Sequence, residues 1–424
     1  MRFPLRAVVP LLAAAFTSCT GDSGSGFSLS VQRDTLPDGT VHVRYSVLPE
    51  DGIATAEPEL RLGLMDGDPN YVFGDVRGID AAADGTIYVL DGLASRIRVF
   101  DSAGKFLRTI SSKGEGPGEI TEANGMVLAG DTILWVQDHG KWMMLGLSPE
   151  GEELARVPMP SLHFGHAWDG TVDDAGRIWK PAYHSDREGA EVRREGLDQS
   201  TGRIYLKSLD PTDGTVDSVY VGDYQARQYL SQAGSGWWHI YFPYDPQRET
   251  AVDPRGGFWQ VHTAGYRVAR LNEVGDTTLV IQVEADPIPL SSEERDEFIE
   301  GVGDRGPESR RVAEEVADLM LDTKPLIQRL IMDDRGRLWV ERTLQAGAAP
   351  VYDIFSGNGQ YQGSVALAFN PNQHLPIRIR NGFIYAVVLD ELDVPSIVRA
   401  RVPASTPSLN PPSSPAIPIG DGFP

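Results

Sequence analysis

The sequence predicts an all-β fold of six units, each of four antiparallel strands, closed into a ring. Three observations predict it. A short turn-plus-aromatic pattern occurs six times; an alternating strand ending in a second turn follows most copies; and 45 Gly and 30 Pro among 424 residues supply many tight turns. Four-stranded units repeated around a ring make a β-propeller, so the expected architecture is a six-bladed β-propeller.

The first pattern is an Asp or Asn, a turn with Gly, then an apolar and an aromatic residue on a strand. Its copies are Asp84–Val89, Gly130–Val136, Asp174–Trp179, Asp253–Trp259, Asp334–Val340 and Asn381–Ala386, with the aromatics at Tyr88, Trp135, Trp179, Trp259, Trp339 and Tyr385. Asp, Asn and Gly adopt turn conformations that cost other residues free energy. The aromatic that follows fits the gap between neighbouring sheets. The second pattern covers Ile97–Gly104, Leu145–Gly151, Leu206–Gly214, Val268–Gly275 and Tyr352–Gly359.

Residues 74–120 resemble an NHL repeat. The residues that carry the resemblance are Gly78-Ile79, Ile87–Asp91, Arg96–Phe106 and the glycine-rich exit Gly114–Ile120. The resemblance extends over roughly Glu57 to Val402, with later copies degenerate and interrupted, and it implies a fold like that of bacterial six-bladed β-propeller lipoproteins.

A ring must close. The last unit has candidate strands at Ile377–Arg380, Phe383–Leu389 and Ile397–Val402, and Leu60–Leu64 can supply the missing fourth. A hairpin of Ser28–Asp34 and Val41–Val47 around Pro37-Asp38-Gly39 would add strands outside that last blade. Three insertions lengthen the middle of the chain: Pro181–Thr201, Gly222–Glu249 and Pro289–Lys324. The third, between blades 4 and 5, reads as helical. Ser291 and Glu294 form a capping box, Pro307 sits in a first turn, and Val312, Val316, Leu319 and Met320 share one face. In the propeller that the resemblance implies, all three insertions emerge on one face, the top.

The first 18 residues read as a signal peptide, with Arg2 and Arg6 ahead of an apolar run from Ala7 to Phe16 that is too short to span a bilayer. Cys19, the sole cysteine, ends Phe16-Thr17-Ser18-Cys19, which resembles a lipobox; residues 19–27 then form a lipidated flexible tether and residues 403–424 a Pro/Ser-rich disordered tail. The propeller is expected over residues 28–402. The expected location is the bacterial cell envelope, with the membrane touched only through the lipid. A net charge of −22 argues against nucleic acid as a partner.

Polar residues at the top ends of the two inner strands are the candidate site: Arg77, Asn124, His166 and Glu249 before the innermost strands, and Asp91, Asp138, His184, His262 and Arg342 just after the landmark aromatics. They would surround the channel mouth either as a ligand site or as a wet polar rim. The expected ligand is a protein, a peptide or a carbohydrate, and Trp237–Tyr244 would either stack on it or pack an insertion onto the propeller. No cofactor is expected. The alternative is a metal-dependent hydrolase or lyase, with Zn on His166, His184 and His262 or Ca on Asn124, Asp138 and Glu249, as in propeller relatives. No G-x-S-x-G, H-E-x-x-H or P-loop motif occurs, so the non-catalytic reading is favoured.

Overall fold

The computed structural model describes residues 30–159, 168, 170–186, 194–233 and 236–404. The signal peptide, Cys19, the tether, His166 and most of the tail lie outside the described residues. Six large sheets follow one another along the chain. Blade 1 is Val76–Ala81, Ile87–Asp91, Arg96–Phe100 and Phe106–Ile110; blade 2 is Ala123–Ala129, Ile133–Asp138, Met143–Leu147 and Glu153–Pro158. Blade 3 is Thr171–Val172, Ile178–Ser185, Gly196–Leu209, Val216–Ala233 and a fifth strand, Gly236–Tyr241. Blade 4 is Arg248–Val252, Phe258–His262, Arg267–Leu271 and Thr277–Val283; blade 5 is Ile327–Met332, Leu338–Arg342, Val351–Phe355 and Tyr361–Leu367. Blade 6 is Arg378–Arg380, Phe383–Leu389 and Pro395–Arg401, and Pro58–Leu62 pairs antiparallel with the last of these as its fourth strand.

The landmark aromatics all lie on the second strand of their own blade, none more than 4 % exposed. They sit between sheets: Trp259 shares a cluster with Leu338 and Val340 of blade 5, and Trp339 shares one with Ile379 and Ile384 of blade 6. Burying a large apolar side chain this fully stabilises by roughly 1.5–3 kcal/mol, so the gaps between blades are the core.

In blades 3 and 5 the turn before the aromatic is closed by the residue ahead of the Asp that opens the sequence pattern. In blade 3 the turn is closed by Asp173, not Asp174: its carboxylate accepts from the Ala175 and Arg177 amides, from Arg177 Nε at 2.7 Å and from Trp179 Nε1 at 2.7 Å. Asp333 repeats each bond in blade 5, with Arg337 Nε at 2.6 Å and Trp339 Nε1 at 3.0 Å. In blade 4 glycine stands where the Arg would be, at Gly257; Asp253 binds Arg255 and Arg270 instead, and Trp259 Nε1 has no partner among the described residues.

Two expectations about extra length are corrected. The N-terminal hairpin, Val31–Thr35 and Val41–Tyr45, does not join blade 6; it adds to the outer edge of blade 4, with Val41–Tyr45 parallel to Leu279–Val283. The cause is Tyr45, whose ring fills the gap between blades 4 and 5 while its hydroxyl donates to Gly359 O and accepts from Tyr361 N, both at 2.8 Å. Ala54–Ala56 then lies parallel to the outer strand of blade 5, so residues 31–62 strap three consecutive blades. The described parts of the first two insertions are strand rather than loop. The third and fourth strands of blade 3 run on past the ring, pairing Gly196–Ile204 with Gly222–Leu230, and the fifth strand pairs with Gln228–Ala233. Together they make a β-arm.

The third insertion is a pair of helices, α1 (Ser292–Gly303) and α2 (Pro307–Asp318). The Ser291–Glu294 capping box is formed and Pro307 opens α2. Strands alternate in direction, so connections after second and fourth strands share one face; the arm and the helices therefore rise together from the top. Val312, Val316 and Met320 of the helical segment bury against Tyr229 and Phe242 of the arm. Arg227 adds an ion pair with Asp245 at 3.0 Å and a bond to Leu319 O at 2.6 Å, and Tyr229 hydrogen-bonds to Glu315. Arm and helices form one platform.

Candidate ligand-binding site

Three of the sequence-derived candidates are committed to the bonding of their own blades. Asp91, 1 % exposed, binds Arg98 Nη1 at 2.8 Å and accepts from the Gly74 and Ala94 amides. Asp138, equally buried, accepts from the amides of Thr121 and Glu122 and from the Thr121 hydroxyl. Arg342 grips Asp353 through Nε at 2.7 Å and Nη2 at 2.5 Å. Burial disfavours the Arg342 charge, but Asp353 outweighs it and holds the guanidinium above its ordinary pKa. Blades 1 and 5 thus carry the same buried pair with its charges exchanged. A partner removed from such a pair leaves an uncompensated buried charge.

Arg77, Asn124, His184, Glu249 and His262 lie on the top. Arg77 and Asn124 share a cavity of about 400 Å³ between blades 1 and 2, with Asp75, Lys113, Glu122 and His139 on its walls. Arg77 pairs with Asp75 at 2.6 Å. Glu249 accepts from Gln247 Nε2, and His262 ends the neighbouring strand, opposite Arg248. Burial, then the Arg248 charge, hold the His262 imidazole below its ordinary pKa of 6.5, so it is neutral at pH 7. His184 stands on the arm with its ring edge-on to Tyr205 at 5.2 Å. The structure thus joins Arg77 with Asn124, and Glu249 with the strand of His262. Among the described residues no three His, Cys, Asp or Glu side chains gather as a metal-binding group.

Sequence reasoning reached Tyr241 as part of Trp237–Tyr244 but missed Trp142 and Tyr183. Trp142 follows the second strand of blade 2 on the top face, 54 % exposed and stacked on His139 with ring centroids 5.8 Å apart. Its φ of +58° is a conformation that bulky residues avoid and that concentrates at functional sites. Tyr183 and Tyr241 of the arm are 47 % and 66 % exposed. Of the Trp237–Tyr244 stretch, Phe242 packs the arm onto the helices, while Tyr241 faces solvent.

The larger cavity lies elsewhere. About 790 Å³ opens along the axis, lined by the innermost strands of blades 2 to 6 from Gly170 to Gly176, Thr250 to Arg255 and Arg329 to Gly336. These ranges end in the turns between first and second strands, so the cavity belongs to the bottom half of the channel. On its wall Arg378 of blade 6 reaches across the axis to Gly170 O of the opposite blade, at 3.4 Å.

Residues 70–156 match a family model described as 6-bladed beta-propeller. No curated protein matches the chain in sequence. Among solved structures, virginiamycin B lyase from Staphylococcus aureus is 12 % identical, with 81 % of this chain and 98 % of that chain covered and a TM-score of 0.39. A member of the duf4221 family from Bacteroides vulgatus is 10 % identical, with 83 % and 98 % covered and a TM-score of 0.46. The calcium-binding protein regucalcin from Agrobacterium tumefaciens is 8 % identical, with 82 % and 96 % covered and a TM-score of 0.31. The family match over residues 70–156 and the six sheets agree on a six-bladed β-propeller.

Proposed function

We propose that this propeller is a lipid-anchored protein of the bacterial cell envelope whose top face binds a basic segment of a partner protein or peptide. The observation that carries the reading is the set of exposed aromatics there, Trp142, Tyr183 and Tyr241. Exposed aromatic surface rimmed by polar groups is characteristic of contact sites. The sign of the partner follows from charge. Between Pro289 and Lys324 there are eleven Asp and Glu against five Lys and Arg, a balance of 5 − 11 = −6. Lys and Arg side chains also stack favourably on aromatic faces. Arg77, Asn124, His184, Glu249 and His262 are the polar groups this surface offers beside the aromatics.

Anchoring rests on the signal peptide and Cys19. No helix among the described residues is long and apolar enough to cross a membrane. Cys19→Ser should release the protein from membranes, because acyl chains supply the anchoring energy; a variant that still sediments with them contradicts the anchor. For the top face, a photo-crosslinking residue at Tyr241 should trap a partner in intact cells. The same residue at Val274, exposed in a bottom-face turn, should not. Equal trapping at both positions, or none at Tyr241, rejects this surface.

A further inference from the structure

We propose that the bottom half of the axial channel is a second binding site, for a small organic oxyanion carrying a carboxylate or phosphate group, held by Arg378 and Lys180. It is distinct from the top face and stands on separate observations. The cavity, about 790 Å³, is within the range of small-molecule sites.

Its charges have an uneven distribution of partners. Arg255, Arg329 and Arg380 line the cavity but are each paired with a carboxylate of the blades: Asp253 at 3.1 Å, Glu341 at 2.9 Å and Asp80 at 3.2 Å. The carboxylates of Asp173 and Asp333 are turned into their blades, where each holds an Arg and a Trp indole. Asp174 and Asp334 sit exposed at the bottom rim.

Arg378 differs from the other arginines. Its Nη2 makes a 3.4 Å bond to a carbonyl across the axis, and its Nε is buried with no hydrogen-bond partner among the described residues. A buried donor left unmade is unfavourable, and a guanidinium is built to take an oxyanion through two parallel bonds. Lys180 lines the same cavity from blade 3, and burial pushes its ammonium down to about 8. An anion bound beside it would favour the charged form. In a chain of net charge −22, a cavity that presents cations at its centre selects against the general surface potential and for a ligand small enough to enter.

The test is isothermal titration calorimetry of the full-length protein in detergent with citrate and, separately, inorganic phosphate. Saturable binding of one anion per chain is expected, and which of the two binds assigns the head group. Arg378→Gln should bind about tenfold more weakly, and Lys180→Met several-fold more weakly, while Arg310→Gln on the exposed face of α2 should match the parent. Lys180 lies on a different blade, so K180M keeps the test decisive if R378Q does not fold. Absence of saturable binding by both anions, or equal affinity in K180M and R310Q, overturns the proposal. Crosslinking at Tyr241 should be unchanged in K180M, so this site and the top face fail or stand separately.

Discussion

In the ring, stability is repeated: each blade buries an aromatic of its second strand against the next blade, and in blades 3 and 5 an Asp–Arg–Trp set locks the turn beneath it. The platform above is not repeated. It rests on one apolar cluster between the arm and the helices, a few arginine bonds, and the buried Lys324–Glu294 pair at 2.6 Å. A structure held by many equivalent gaps loses one of them as a whole-ring event. A structure held by one cluster opens locally, which is where surfaces that bind and move are commonly drawn from.

The largest effect should come from the ring. Trp339→Ala empties a gap between blades 5 and 6 and should cost about 3–5 kcal/mol in urea unfolding, with one cooperative transition. A cost near zero would mean that the gap is not part of the core. The comparison sharpens within the ring. Trp179→Phe and Trp339→Phe each remove an indole donor from a buried carboxylate and should cost about 1–3 kcal/mol. Trp259→Phe removes an indole with no partner among the described residues and should cost clearly less. Equal costs at the three positions would show that the Asp–Arg–Trp set contributes nothing.

On the platform, Val316→Ala should cost about 1.5 kcal/mol, and its signature is the location of the effect. Faster amide exchange is expected over Ser292–Asp318 and the arm, with the blade strands unchanged; uniform acceleration would merge platform and ring into one unit. The smallest effect is acidic. Burial pushes the Glu294 carboxyl up, but hydrogen bonds from Lys324 and from the Ser291 amide outweigh it and leave its pKa below the ordinary 4.5. Its contribution is therefore complete above 4.5 and is lost as the pH falls through the lower, folded value. Amide protection in α1 should drop on that acid side, and a Glu294→Gln variant should show no such step.

Much of the ring was legible in the sequence because its signals are local. Turn residues with positive φ, such as Gly176 at +83° and Gly336 at +70°, mark every hairpin of this kind, and the aromatic that follows fixes the phase. What escaped depends on distant partners. The hairpin of residues 31–45 carries no mark of its blade; Tyr45 finds its place only because blades 4 and 5 leave a gap. The arm reads as an insertion and not as strands because its strands, such as Gly196–Leu209, begin with mostly polar, partly exposed residues. At the site, position was legible but direction was not. Asp91, Asp138 and Arg342 end their strands where expected, yet side chains alternate along a strand, and these turn into the blades. Arg378 lay on an innermost strand, which was signal enough to suspect the channel, but its reach to the opposite blade required the closed ring.

The separation of platform from ring can be tested directly by excision. The helices leave and return through a two-residue ladder, Ile288 opposite Lys324 and Pro289 opposite Thr323, with Leu290 N bonded to Asp322 O at 2.9 Å. Residues 291–322 can therefore be replaced by a short Gly-Ser turn without moving blades 4 and 5. The measurement is thermal unfolding of this variant together with photo-crosslinking at Tyr241 in intact cells. The ring should melt within a few degrees of the parent, as one transition, while the Tyr241 adduct disappears. Loss of the folded ring, or an adduct that persists undiminished, would contradict the claim that the part of the binding surface around Tyr241 stands on a separately held platform.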